Sequence, residues 1–328
     1  MNSKWRKAIV KNIISVSLLS ALTIIASHQS VLAQANPSEF ETFGDWCRNR
    51  EQLTPEARHT VEVLLAKVGT QECDLAEGAI ANLRELSLNF NHTADISPLA
   101  NLTNLRELYL GFNEIEDVSP LANLTNLTKL YIGFNQIEDV SPLSNLINLR
   151  ELYLDDNEIA NVSALANLIN LRGLALGVNQ IEDVSPLANL TNLRELYLSF
   201  NQIADVSPLA NLTNLTLLDL GGNEIADVFP LADLTNLTLL YLGFNQIEDV
   251  SALDNLTNLT LLDLGGNEIA DVSPLANLTN LRELYLRDND IEDISPLDNL
   301  TNLIRLKLAG NPLIDRTCPV RPESVCQF

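Results

Sequence analysis

Histidine is almost missing from this sequence: three occur in 328 residues, and only His59 and His92 lie beyond the first 33. No HExxH pair, no GxSxG nucleophile elbow and no phosphate-cradling glycine loop accompanies them. Carboxylates are plentiful but evenly spread, with no pair set apart for acid–base work, so neither a catalytic centre nor a cofactor is expected. Basic charge is scarce as well. Lys and Arg number 20 against 43 Asp and Glu, a formal net charge of −23, and a polyanion of that size repels nucleic acid and anionic lipid head groups. The four cysteines include no CxxC spacing, which removes the usual redox and metal arrangements. No apolar run reaches the roughly 20 residues that cross a bilayer, so no membrane span is expected.

What is present begins with a leader. Lys4, Arg6, Lys7 and Lys11 precede an apolar run from about Ile13 to Ala26, and Val31, Leu32 and Ala33 end it in the manner of a signal-peptidase site. Residues 1–33 are expected to be a cleaved secretory signal, leaving a secreted, periplasmic or cell-surface protein. Its loss removes four basic residues and no acidic one, so the net charge falls from −23 to −27. No cysteine stands at the cleavage site and no hydrophobic tail precedes Phe328, so neither a lipid nor a C-terminal anchor is expected.

From Asn91 onward an asparagine recurs every 22 residues, at 113, 135, 157, 179, 201, 223, 245, 267, 289 and 311. Length alone suggests about two globular domains, but a gapless period overrides that prior. One unit, Leu102 to Asn123, reads LTNLRELYLGFNEIEDVSPLAN and contains LxxLxLxxN. Apolar and polar residues alternate through it, so Leu196 and Leu198 point inward while Glu195, Tyr197 and Ser199 share the outer face of a sheet. Ser207 and Pro208 form an N-cap with a first-turn proline, and Leu209 to Leu212 supply a short helical or 3₁₀ turn behind the sheet. The repeating asparagine is structural, its buried amide satisfying loop and neighbouring backbone.

The pattern is that of leucine-rich repeats. The expected fold class is α/β, a leucine-rich-repeat solenoid: a curved right-handed coil with an inner parallel β-sheet, a convex side of 3₁₀ or short helical turns, and a helical N-terminal cap. Ends of a solenoid need covers, or the last coil exposes core and strand edge. Residues 34–81 fit the N-terminal cap, with a helix begun by Thr54 and Pro55, buried through Ala57, Val61, Leu64, Leu65 and Val68, and ended by Gly69. Residues 82–310 form the array of eleven units and 311–328 the C-terminal cap. Cysteines in an exported chain oxidise. Eleven coils at about 4.8 Å each hold the two ends about 50 Å apart, so Cys47 pairs with Cys73 and Cys318 with Cys326 as structural staples.

The run LTNLxxLxLxxNxIxDVSPLANL resembles the 22-residue repeats of bacterial internalins over about Ile80 to Pro312. That resemblance implies a curved solenoid gripping a protein on its concave face. The paired cysteines at both ends resemble those of small exported bacterial leucine-rich-repeat proteins.

Candidate contact residues are therefore the outward positions of the strands. All six tyrosines, Tyr109, Tyr131, Tyr153, Tyr197, Tyr241 and Tyr285, fall in one column, four residues before the asparagine. They read either as an aromatic contact stripe or as one duplicated residue whose stacked rings stabilise the sheet. Two residues further back, Glu195 is followed by Leu217, Leu239 and Leu261 in three consecutive units, flanked by Asp219, Tyr241 and Asp263. Contiguous exposed leucines mark a contact site, unless tilt hides them among their neighbours. Phe90, Phe112, Phe134, Phe200 and Phe244 read as partly buried loop packing. A column of aspartates at 95, 117, 139, 183, 205, 227, 249, 271 and 293 suggests calcium, but capping of the following turn explains it more simply. The many AsnLeuThr triplets follow from the repeat consensus and carry no glycosylation signal. The expected function is protein or peptide binding on an acidic, Tyr-lined concave face by a monomer. A structural envelope spacer and an inhibitor that captures an enzyme are the alternatives.

Overall fold

The computed structural model describes residues 40–328; the expected leader, residues 1–33, lies outside them. Each unit supplies one inward-facing set of aliphatic side chains. In residues 190–209 these are Leu190, Leu193, Leu196, Leu198, Ile203, Val206 and Leu209, none more than 1% exposed. No single unit can bury such a set alone; stacking buries each against the units before and after it. The strands are only three residues long, each holding one inward leucine with a second inward aliphatic residue just beyond its end, such as Leu196 and Leu198 around the strand Glu195–Tyr197. Eleven of them, from β1 (Glu85–Ser87) to β11 (Arg305–Lys307), run parallel in sequence order, each in register with the residue 22 positions later. A twelfth, β12 (Cys326–Gln327), comes from the C-terminal segment and pairs with β11.

Behind the sheet each unit makes one 3₁₀ turn, such as Ser207–Leu209. Its flanking residue is Val206 rather than the expected Ser207, and Asp205 provides the cap: Ser207 N–H donates to Asp205 Oδ1 at 2.8 Å and its hydroxyl to Oδ2 at 3.0 Å. Pro208 has no N–H, so the Ser207 amide is the orphan donor that needs a partner. The recurring asparagines run through the interior, between 5% and 9% exposed from Asn157 to Asn311. Asn201 Nδ2 donates to the carbonyls of Leu176 and Leu198, both at 3.0 Å, and Oδ1 accepts the Ile181 N–H at 3.0 Å. One side chain thus joins two consecutive units where backbone alone leaves groups unpaired.

Three helices cover the first coil: α1 (Phe43–Arg48), α2 (Pro55–Val68) and α3 (Cys73–Ile80). Thr54 caps α2 by accepting the Ala57 N–H, Gly69 ends it at φ 72°, and Ala57, Val61, Leu64 and Leu65 are buried. Thr60 donates to the Asp95 carbonyl at 2.6 Å and so docks α2 onto the first unit. Cys47 is bonded to Cys73 and Cys318 to Cys326, with Cα separations of 5.5 and 5.8 Å. No helix among the described residues is long and apolar enough to cross a membrane.

Candidate functional site

Parallel register converts each sequence column into a row of side chains across the outer sheet face. Tyr109 stands opposite Tyr131, and Tyr131 opposite Tyr153. Their rings stack with centroids 4.9 and 4.4 Å apart. The row is then broken by Ala175 before Tyr197, after which tyrosine alternates with charge: Tyr197, Asp219, Tyr241, Asp263, Tyr285, Lys307. All six tyrosines are half-buried.

Several of their hydroxyls are engaged by the neighbouring row. Tyr109 donates to Glu107 at 2.8 Å, Tyr131 to Glu151 at 2.6 Å, and Tyr285 to Glu283. The Glu107 hydrogen bond, with burial, pushes Tyr109 up to about 12; burial beside Glu195 does the same for Tyr197, also to about 12. Burial raises Tyr131, Tyr153, Tyr241 and Tyr285 too. These phenols remain protonated donors at any physiological pH. The glutamates are partly neutralised: Lys129 lies 3.3 Å from Glu151 and Arg305 2.7 Å from Glu283, while Lys307 sits 5.1 Å over the Tyr285 ring. The face carries mixed charge rather than a uniform acidic field.

Leu217, Leu239 and Leu261 are in direct register, so the apolar row is contiguous, and each is half-buried. Asp219 and Asp263 flank it from the tyrosine row. Asp155 and Asp219 are held above the usual carboxylate range by burial on the sheet, each accepting a backbone N–H, from Gly177 and Gly221, at 3.1 Å.

The phenylalanines differ from expectation. They are exposed: 66% for Phe90, 46% for Phe112, 45% for Phe134, 61% for Phe200 and 54% for Phe244. All five have φ between 56° and 60°, and Val178 at 55° and Asp156 at 52° fill the same column in the same left-handed region. The turn out of each strand requires this left-handed residue, and it swings the side chain outside the core. Phe90, Phe112 and Phe134 stack at 4.3 and 4.1 Å instead of burying. The same column holds Gly222, Gly266 and Gly310, all at positive φ, a sequence signal for that backbone. The aspartate column is occupied by capping; hydrogen bonds from Ser141, Ser185, Ser207, Ser251 and Ser295 hold Asp139, Asp183, Asp205, Asp249 and Asp293 below their ordinary range. No group of His, Cys, Asp and Glu among the described residues is placed to hold a metal ion.

The profile described as leucine-rich repeats (2 copies) matches residues 81–123, 125–167, 169–211, 191–234, 213–255, 235–277, 257–291 and 279–321. The chain belongs to the leucine-rich-repeat family. Its repeats are of the internalin type: an internalin of Listeria monocytogenes, InlF, is 36% identical, with 85% of this chain and 97% of that one covered and a TM-score of 0.59. Internalin C2 of the same organism is also 36% identical, over 70% of this chain and 92% of that one, with a TM-score of 0.57. The leucine-rich-repeat ectodomain of the Arabidopsis thaliana receptor kinase GASSHO1/SCHENGEN3, solved in complex with Casparian strip integrity factor 2, is 25% identical, covering 69% of this chain and 32% of that one with a TM-score of 0.61. Among curated proteins none matches this leucine-rich-repeat chain.

Proposed function

We propose that this leucine-rich-repeat protein is an exported, non-catalytic binding module that engages a protein or peptide on the outer face of its sheet. The contiguous row Leu217, Leu239 and Leu261, set between Tyr197, Tyr241 and the carboxylates of Asp219 and Asp263, carries the reading. Amphipathic rings and half-buried leucines on a rigid sheet give contact area at little entropic cost. The likeness to a receptor ectodomain solved with its ligand is consistent with this use. Export fits the two disulfides, since a reducing compartment would open them.

The test is a pull-down from envelope and culture fractions with residues 34–328, beside a variant carrying Tyr197→Ala, Leu217→Glu, Leu239→Glu and Tyr241→Ala. The variant is first matched to the parent by circular dichroism. A partner kept by the parent and lost by the variant is expected; equal recovery of every protein by both would remove the sheet face as the site. Raised salt is expected to weaken the complex, because charges on this face steer association.

A further inference from the structure

A second surface lies on the turns that lead into the strands. The residue immediately before each strand is Arg84, Arg106, Thr128, Arg150, Arg172, Arg194, Thr216, Thr238, Thr260, Arg282 and Ile304 in successive units. Arg150, Arg172 and Arg194 therefore occur in three consecutive coils, and their backbones are tied directly together: Arg172 N–H donates to the Arg150 carbonyl and Arg194 N–H to that of Arg172, each at 2.8 Å. That ladder sets the three α-carbons one strand step apart, about 4.8 Å. All three side chains are exposed, and none forms an ion pair with a carboxylate among the described residues. The glutamates that follow Arg150 and Arg194 in sequence are otherwise occupied, Glu151 by Lys129 and Tyr131, Glu195 by Tyr197 at 3.5 Å.

Three adjacent unpaired cations are unfavourable in isolation, as like charges facing each other across strands are. The fold does not require them, because Thr128, Thr216, Thr238 and Thr260 fill the same position, and Thr216 even donates its hydroxyl to the Arg194 carbonyl at 3.0 Å. A second departure from the repeat falls in the same coils. Eight units carry Leu-Thr-Asn ahead of the arginine column, whereas two consecutive ones carry Leu-Ile-Asn, leaving Ile147 and Ile169 exposed by 52% and 53%. In the same coils a depression of about 280 Å³ is lined by Asn148, Arg150, Asn170, Arg172 and Asn192. Each asparagine Nδ2 donates one hydrogen bond, to the carbonyls of Thr125, Ile147 and Ile169 in turn, at 2.8, 2.9 and 2.8 Å. Their Oδ1 atoms accept no side-chain or backbone donor among the described residues.

We infer that Ile147, Arg150, Ile169, Arg172 and Arg194 form a docking strip for an extended acidic segment of a partner protein. Carboxylates of the segment meet the guanidinium groups, whose planar forks match them. Its aliphatic side chains cover the two isoleucines, and its backbone N–H groups face the asparagine Oδ1 row. The isoleucines decide between a peptide and an anionic polysaccharide, since a polysaccharide brings no aliphatic side chains to cover them. In a chain of net charge −23, an unpaired cationic strip also orients an acidic partner towards this edge and away from the rest of the surface.

The strip is independent of the sheet-face reading, and the experiment separates them. The probe is a short fluorescent peptide of repeating Glu-Leu-Glu-Ser units, followed by anisotropy at low ionic strength on residues 34–328. One variant carries Arg150→Thr, Arg172→Thr and Arg194→Thr, the residue that the column itself uses elsewhere; another carries Ile147→Thr and Ile169→Thr, the repeat consensus. A third, Tyr197→Ala with Leu239→Glu, disables the sheet face. The expected result is loss of about tenfold in affinity for the arginine variant and about threefold for the isoleucine variant, with the sheet-face variant unchanged. The same peptide with Gln for Glu should bind about tenfold more weakly than the acidic one. No binding by the parent, equal binding by the arginine variant, or binding of polygalacturonate in place of the peptide would each overturn the proposal. Loss confined to the sheet-face variant would also overturn it, and would leave the sheet as the site.

Discussion

At the scale of single residues the buried asparagine is the most exacting position. Replacing Asn201 by Leu keeps the volume and removes its hydrogen bonds: the Ile181 N–H is left without a partner inside the solenoid, while the Leu176 and Leu198 carbonyls keep one amide donor each, from Asn179 and Asn223. A buried orphan of this kind costs about 1–3 kcal/mol, so Asn201→Leu should lower stability by about that much, read as a fall in the urea midpoint. An unchanged midpoint would refute the ladder. The titrating residues divide by sign. Asp139, Asp183, Asp205, Asp249 and Asp293 sit below their ordinary range, so their capping contribution is present above about pH 4 and is lost as pH falls through their folded values. Asp155 and Asp219 are raised, so their contribution is present at low pH and lost as they ionise on the sheet. Asp155→Asn, which removes that ionisation, should therefore raise the melting temperature at pH 7 and do so less at pH 3. Tyr109 and Tyr197 are raised to about 12, so stability should decline between about pH 10, where an unfolded tyrosine ionises, and about pH 12. Ultraviolet titration of tyrosinate across that range checks it. The asparagine role was legible from its period alone, because an amide recurring in an aliphatic interior has only backbone to satisfy. The exposed phenylalanines were not, since their placement depends on a left-handed turn that hydropathy does not encode.

At the scale of elements, the caps differ from the coils they cover. Coils are held by identical neighbours on both sides, whereas α1, α2 and α3 have a neighbour on one side only, and the bond between Cys47 and Cys73 ties α1 to α3. Replacing both cysteines by serine should cost about 3 kcal/mol and loosen this end first. Amide hydrogen exchange is then expected to quicken in α1, α2 and β1 while the central strands keep their protection. Uniform acceleration along the array would mean that the cap holds the whole solenoid. The helix begun at Thr54 was readable from cap, proline and apolar spacing. α1 and α3 were not, being short and packed mainly on each other and on α2. The strand β12 has only two residues and exists because β11 offers it an unpaired edge.

At the scale of the molecule the acidic charge is borne mostly by the turns and the convex side, and its self-repulsion opposes the folded state. Raising the salt concentration should therefore increase the melting temperature until screening is complete, as scanning calorimetry can measure. Calcium at matched ionic strength should add nothing, because the aspartate column is committed to capping the serine N–H groups. A shift specific to calcium would reassign that column.

A period of 22 with fixed leucines, asparagine and SerPro was enough to determine the solenoid, its parallel sheet and which residues line each face, because translation along the stack maps sequence columns directly onto rows. The disulfide partners followed from the same map, since the ends of a stack are too far apart to pair across it. Tertiary structure alone decided how the rows interact. It paired Glu151 with Lys129, left the arginines before β4 (Glu151–Tyr153), β5 (Gly173–Ala175) and β6 (Glu195–Tyr197) without ion-pair partners among the described residues, and turned the phenylalanines outward. These outcomes depend on rotamers, on backbone sign and on which neighbour reaches a charge first, and a repeat consensus specifies none of them.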